Sequence, residues 1–421
     1  MRRSPLRLVA WLAAMVSLNT LTTACVVDRL TAVPTAIDDE RALAADAGAE
    51  ERALLTRVEV YEDGDLDAYL TSIVDRLLSE DERSSDASAI TVTVLRDPSL
   101  NAFAMPSGHI FVHTGLLARV ENEAQLATIL ARELAHVSLG HGAHQRPGAR
   151  RRGEAVAAIA RTIGVATASP AGSEDAASGG LSPVFRVIVG QSLAVVYAAA
   201  VDGYGAVPAR AADAGGVERL IRASYDRKEA PRAFERLRRA ARAGGVLERF
   251  FYGSDKTLAE RAEAIARLVA KDDVVPAVAP EAVSTEERFA AVLLPVVRDN
   301  VKLDVSAGRF RLAQEQLDRV LALTPEDARV HLMAGELYRL RAQRARSVAD
   351  RDELARQALT SYQRCLELDP DVAEVQRGLG LLYYHFRQPE RAREAFARYV
   401  ALRPDALDAA RVREYLAEPG Q

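Results

Sequence analysis

The stretch Ile129 to Gly142, ILARELAHVSLGHG, holds the residue types with the most definite chemical meaning in the chain. A helix carrying His-Glu-x-x-His turns two imidazoles to one face, because residues four apart share a face, and the pair can grip one zinc ion. The Glu beside the first His then polarises the metal-bound water as general base. Here Glu133 and His136 stand at the base and second-His positions, while Arg132 stands at the first. A guanidinium has no lone pair to donate, and it puts a positive charge where the metal's own would sit. Without a metal, Glu133 reads as a helix-surface or cleft carboxylate.

His141 and His144 follow closely and suggest an alternative triad with His136. His136 and His141 diverge by about 140° on a helix, however, and a ligand set needs convergent geometry as well as suitable residue types. His109 and His113 flank a predicted strand and read as solvated rather than catalytic. Cys365 falls at a small-residue packing position and reads as a buried spacer rather than a nucleophile.

Several elements must position these groups. From Glu51, apolar residues recur at three- and four-residue spacing through ERALLTRVEVY and LDAYLTSIVDRLLSE, which predicts helices. ITVTVLRD (Ile90 to Asp97) is β-branched and alternating, a strand. NAFAMPSGHIFVHTGLL (Asn101 to Leu117) reads as a second strand pair or hairpin carrying Gly108, and the Glu133 helix follows it. ASPAGSEDAASGG is loop by composition, and FRVIVGQSLAVVYAAAVDGYG and ASYDRKEAPRAFERLRRAAR are helical. KDDVVPAVAPEAVSTEE, with its prolines, predicts a linker over 271–287.

Beyond the linker the chain repeats. Leu379-Gly380, Tyr383, Ala392, Phe396 and Pro404 match the spacing of a 34-residue tetratricopeptide unit. Gly335, Tyr338, Ala358, Tyr362 and Pro370 form an earlier unit with extra residues around RSVADRDELAR, and Ala313, Leu317 and Pro325 an earlier one still. The fold class is therefore α+β: a mostly helical domain with a small β-sheet over 51–270, then an all-α tetratricopeptide solenoid over 288–421.

The N-terminus has the layout of a secretory signal over 1–25: Arg2, Arg3 and Arg7, the apolar run Leu8 to Val16, then small residues ending at Cys25. The tail Leu21-Thr22-Thr23-Ala24-Cys25 resembles a bacterial lipobox, which makes Cys25 the expected lipidation site, with 26–50 as a tether. With only two cysteines, a lipidated Cys25 leaves Cys365 no partner and no disulfide framework is possible. A net charge of -4 with mixed signs leaves no nucleic-acid footprint.

Together, NAFAMPSGHIFVHTGLL, ARELAHVSLGHG, VDGYG and SYDRKEAPRAFERL resemble the zinc metallopeptidases that include the BepA proteases, HtpX and the CAAX prenyl proteases. The resemblance covers roughly residues 50–262, and BepA proteins likewise carry tetratricopeptide repeats after the peptidase domain. It implies a metallopeptidase domain over 51–270, a substrate-side edge strand at Asn101, Ala102, Phe103, Ala104 and Gly108, and zinc as the family's cofactor. It also implies a third ligand, a Glu four residues before an Asp in a Glu-x-x-Ala-Asp motif. Aligning Asp202 and Gly205 to that motif puts Ala198 at the ligand position, and Ala cannot bind metal. The His-Pro that family members often carry ahead of an Arg like Arg261 is missing as well.

Of three ligand positions only His136 keeps a metal-binding side chain, so no zinc is expected. An ion pair between Arg132 and Asp202 is expected in its place. The leading functional reading is a catalytically inactive, periplasm-facing envelope lipoprotein, held by its lipid, more naturally in the outer membrane. It would bind periplasmic or outer-membrane protein clients through its groove and repeats, in envelope protein assembly or quality control. An active zinc endopeptidase with unusual ligands, and a structural scaffold lipoprotein, are the competing readings.

Overall fold

The computed structural model describes residues 38–84, 90–140, 187–188, 193, 196, 200, 206–244, 255–270 and 282–417. The signal segment with Cys25, His141, His144, Ala198 and Asp202 lie outside the described residues. The first part of the chain contributes α1 (Asp38–Leu55), α2 (Gly64–Leu77), α3 (Glu80–Ser84), β1 (Thr91–Leu95), β2 (Ala102–Ala104), β3 (His109–His113), α4 (Thr114–Leu117) and α5 (Glu123–Ser138). Then come α6 (Ala206–Arg222), α7 (Glu229–Gly244) and α8 (Asp255–Ala270).

The strands form one sheet in the order β1-β3-β2. β1 runs parallel to β3, with Thr91 opposite His109, and β2 runs antiparallel to β3, with Phe103 opposite Phe111. The turn joining β2 to β3 needs Gly108, whose φ of 90° lies in the left-handed region. α5 starts with reciprocal capping: the Asn122 side chain accepts from the Gln125 amide, and the Gln125 side chain accepts from the Glu121 amide. Its apolar residues Leu126, Ile129, Leu130 and Leu134 are all buried, so α5 is the central helix, wrapped by α2, α6, α7 and the sheet.

The repeats follow as α9 (Ala282–Ser306), α10 (Phe310–Leu323), α11 (Ala328–Arg344), α12 (Val348–Leu368), α13 (Ala373–His385), α14 (Pro389–Leu402) and α15 (Ala409–Ala417). The segment Arg346 to Arg356, extra relative to the repeat length, falls mostly within α12 and lengthens that helix to 21 residues. Small residues set the distance between paired helices: a Cβ on Gly335 would come within 2.4 Å of the Tyr362 ring. Gly335→Ala must therefore displace a fully buried tyrosine. We expect it to lower stability by about 1–3 kcal/mol by chemical denaturation.

α9 begins at Ala282, inside the segment expected as linker, and it does not stand apart from the first domain. One hydrophobic cluster runs from Tyr61 and Leu66 through Leu130 and Phe234 to Val296, Leu317 and Leu337, so the first repeat helices share the core of the preceding domain. A buried polar knot reinforces the joint. Asp304 of α9, fully buried, accepts from Arg119 at 2.6 Å, Gln316 at 2.6 Å and Asn300 at 3.1 Å. It also pairs with Arg309 at 2.7 Å. Asn300 in turn accepts from Thr114, the first residue of α4, at 3.1 Å.

No helix among the described residues is long and apolar enough to cross a membrane.

Candidate functional site: an ion cluster on the central helix

α6 lies across α5 at very short range. A Cβ on Gly216 would sit 3.2 Å from the Arg132 backbone, and one on Gly215 would sit 3.1 Å from the Ala135 side chain. This approach brings Asp213 of α6 to Arg132, whose Nε lies 3.2 Å from Asp213 Oδ1. The same guanidinium donates to the adjacent Glu133 carboxylate. Asp213 also receives a two-pronged grip from Arg261 of α8, Nε to Oδ2 at 3.0 Å and Nη2 to Oδ1 at 2.6 Å. Arg261 is itself braced over the Phe234 ring of α7 at 4.6 Å.

Two guanidiniums and two carboxylates thus tie α5, α6 and α8 together, and the set is close to neutral. Planar fork donors suit such a cluster, since each can serve two acceptors without losing its charge. Glu133 is buried, with 2% of its surface exposed, and that burial pushes its carboxyl above the ordinary carboxylate range while Arg132 pulls it back. The expectation of a helix-surface or cleft carboxylate is thus corrected: Glu133 lies on a buried part of α5. His136, one turn on, is 2% exposed.

The described residues do not fit a zinc ion. Arg132 fills the first-ligand position with a cation already held by two carboxylates, and among the described residues no cluster of His, Cys, Asp and Glu is placed to hold a metal. The side chain four residues before Asp213, one turn away on the same helix, is Ala209. The chain reads Ala209-Arg210-Ala211-Ala212-Asp213 there, which keeps the Ala-Asp of a Glu-x-x-Ala-Asp pattern and lacks its Glu. Because Asp202 lies outside the described residues, the Asp that meets Arg132 in the described structure is Asp213.

β2 is the last strand of its sheet, as an edge strand should be, yet Ala102, Phe103 and Ala104 are buried, at 8%, 1% and 2% exposure. Asn101 beside it donates from its side chain to the Ala200 carbonyl at 3.2 Å. The histidines of β3 are not solvated either, because β3 is the middle strand. His109 is held between Glu51 at 2.7 Å and the Thr93 hydroxyl at 2.7 Å. His113 is 1% exposed, with its Nδ1 2.9 Å from the Ser99 hydroxyl, which donates to Asp97 at 2.6 Å. Ser, His and Asp meet here without forming a nucleophile triad, because the Ser99 hydroxyl donates to Asp97 and His113 turns the same Nδ1 to both, and Ser99 and Asp97 are fully buried. Cys365 is buried against Tyr362 and Val375, and burial pushes its thiol up to about 11, far from a reactive thiolate.

The model of peptidase family M48 matches residues 65–285, just over half of the chain. The chain belongs to peptidase family M48. Tetratricopeptide repeat models match residues 299–350 and 345–417. Among curated relatives, the chain is 27% identical over 187 residues to the "Putative beta-barrel assembly-enhancing protease" of Vibrio cholerae serotype O1, covering 44% of this chain and 36% of that protein. It is 41% identical over 70 residues to the mitochondrial metalloendopeptidase OMA1 of Danio rerio, covering 16% of this chain and 15% of the relative. It is 43% identical over 54 residues to human OMA1, covering 13% and 10%. The chain therefore aligns with less than two thirds of each relative's length. Within this M48 member, sequence reasoning passed over Asp213 and Ala209. The dipeptide Ala212-Asp213, standing just ahead of ASYDRKEAPRAFERL, was the available signal.

Proposed function

We propose that this M48 member is a binding protein without metal chemistry: an envelope lipoprotein, anchored through Cys25, that holds protein clients during assembly or quality control of the bacterial envelope. The observation that carries the reading is the Arg132 guanidinium set between Glu133 and Asp213, a fixed cation in the first-ligand position of the peptidase helix. On this reading Ala209, rather than Ala198, is the vacated third-ligand position, and the Arg132–Asp213 contact takes the part expected of Arg132 and Asp202. The likeness to a Vibrio β-barrel assembly-enhancing protease supports β-barrel precursors as clients, and tetratricopeptide solenoids offer extended surfaces for peptides and partner helices.

Clients engage the repeats in this account. Strand addition at β2 is secondary, because the strand's residues are buried and an incoming chain would first have to displace what covers them.

The ligand assignment is tested by rebuilding the site. Arg132→His with Ala209→Glu is expected to take up about one zinc per chain, and each single variant far less. If Arg132→His with Ala198→Glu loads zinc instead, Ala209 is the wrong position. The functional reading itself is tested with Glu133→Gln, which removes the general base of any metal-dependent peptidase. Client capture and complementation of a deletion of the gene should be unchanged, and loss of complementation by a variant that folds normally would overturn the reading.

A further inference from the structure

α1 takes in part of the stretch expected as a tether, and its apolar anchorage is thin. Among its described side chains only Ala47 and Leu54 are buried apolar residues. A polar contact supplements them. Glu51 accepts from the Ser107 hydroxyl, in the turn of the β2–β3 hairpin, at 2.8 Å, and meets Nδ1 of His109, the first residue of β3, at 2.7 Å. The other ring nitrogen, Nε2, lies 2.7 Å from the Thr93 hydroxyl of β1, and the ring stacks on Phe111 at 4.2 Å. A carboxylate, an imidazole and a hydroxyl thus stand in line across α1, β3 and β1. Glu51 and His109 keep 16% and 13% of their side-chain surface exposed, so water reaches the pair and can deliver a proton. Among the described residues the only ion pair of either group is the one they make together. Arg52 beside Glu51 adds an attractive charge on the carboxylate, and Glu50 turns to the Val196 amide at 3.1 Å.

We propose that Glu51, His109 and Thr93 form a pH-sensitive latch that fixes α1 to the β2–β3 hairpin more firmly when the imidazole takes up a proton. A carboxylate only accepts, so the neutral ring must carry its proton on Nδ1 and donate to Glu51, leaving Nε2 to accept from the Thr93 hydroxyl. On protonation Nε2 donates instead, and the hydroxyl, which can accept as well as donate, turns to receive it. Proton uptake therefore breaks no bond and converts the Glu51 contact from a neutral donor to a charge-assisted one. Undocking α1 removes the carboxylate from the imidazolium, so the docked state holds the proton better and docking strengthens as pH falls through the range where histidines titrate. Glu51 does not interfere in that range. Its hydrogen bond from His109 outweighs burial and holds its carboxyl below the ordinary carboxylate range, so the carboxylate's own contribution is lost only in stronger acid. The latch does not depend on what the repeats hold.

Hydrogen exchange with mass spectrometry on the full mature chain, at about pH 8 and pH 6 where an imidazole changes charge, reads the latch as protection of the α1 amides after correction for the intrinsic rate at each pH. Wild type should gain roughly three- to tenfold in protection at the lower pH, the difference between a neutral and a charged hydrogen bond. His109→Gln should show no such gain. Glu51→Gln should reverse the sign, because the protonated ring then has no carboxylate beside it and acid loosens the helix. Thr93→Val, close to isosteric, leaves the carboxylate and ring in place but takes away the acceptor for the second N–H, so its gain should shrink. It keeps the test open if either of the other variants fails to fold, which circular dichroism reports. Protection in wild type that is flat or falls toward pH 6, or a gain that survives in folded His109→Gln or is undiminished in Thr93→Val, overturns the proposal.

Discussion

Asp304→Ala is expected to lower the free energy of unfolding by roughly 3–5 kcal/mol, the range typical of breaking a buried ion pair from one side. The carboxylate is fully buried and pairs with Arg119, 4% exposed, and with Arg309, 13% exposed. Removing it takes the carboxylate away from the buried guanidinium of Arg119 and from Arg309, together with the amides of Asn300 and Gln316. Asp304→Asn keeps an acceptor but no charge and should fall between wild type and Ala. Urea denaturation followed by circular dichroism measures both. Because Asp304 ties α9 and α10 to Arg119 in a shared core, the loss should appear in the transition that unfolds the M48 domain, not only in the repeats. A loss under about 1 kcal/mol would mean the joint is held by apolar contacts alone.

Arg132→Ala should have a comparable cost at pH 7, roughly 3–5 kcal/mol, and a distinctive pH dependence. Asp213 keeps Arg261 in this variant, so the deficit falls on Glu133, which loses the guanidinium bonded to it. Burial already raises the Glu133 carboxyl above its ordinary range, and without Arg132 it must rise further. A group whose folded pKa lies above its unfolded one binds protons preferentially in the folded state, so its contribution to stability grows as pH falls. The gap between Arg132→Ala and wild type should therefore narrow from pH 7 down toward the ordinary carboxylate range. A gap that widens on acidification would mean that Glu133 is not the group left stranded. Arg132→Lys keeps the charge and loses the fork, so it should cost less than Ala.

The overall fold was legible because period and turn chemistry agree along most of the chain. The alternation in ITVTVLRD gave β1, the turn at Gly108 gave the β2–β3 hairpin, and the register of Gly335, Tyr362, Gly380 and Phe396 gave the repeats. The substitution at Arg132 was equally plain, since a single letter in a short motif changes its donor set. Three features were not legible. The partner of Arg132 is fixed by how closely α6 crosses α5, which depends on Gly215 and Gly216, small residues that carry no pattern of their own. The burial of Glu133, His109 and His113 follows from which elements cover them, a tertiary fact that local periodicity does not encode. The sharing of one core by the M48 domain and the first repeat was hidden behind a Pro-rich segment that reads as a spacer, while Phe289, Leu293 and Val297 a few residues later are core residues.

Zinc content is the most direct test of the central claim that an ion cluster has taken the place of the metal. The purified mature chain, equilibrated with excess zinc and then desalted, should carry far less than one zinc per chain by elemental analysis, and should do so in Glu133→Gln as well. One tightly held zinc per chain, with peptide cleavage that disappears in Glu133→Gln, would contradict the account.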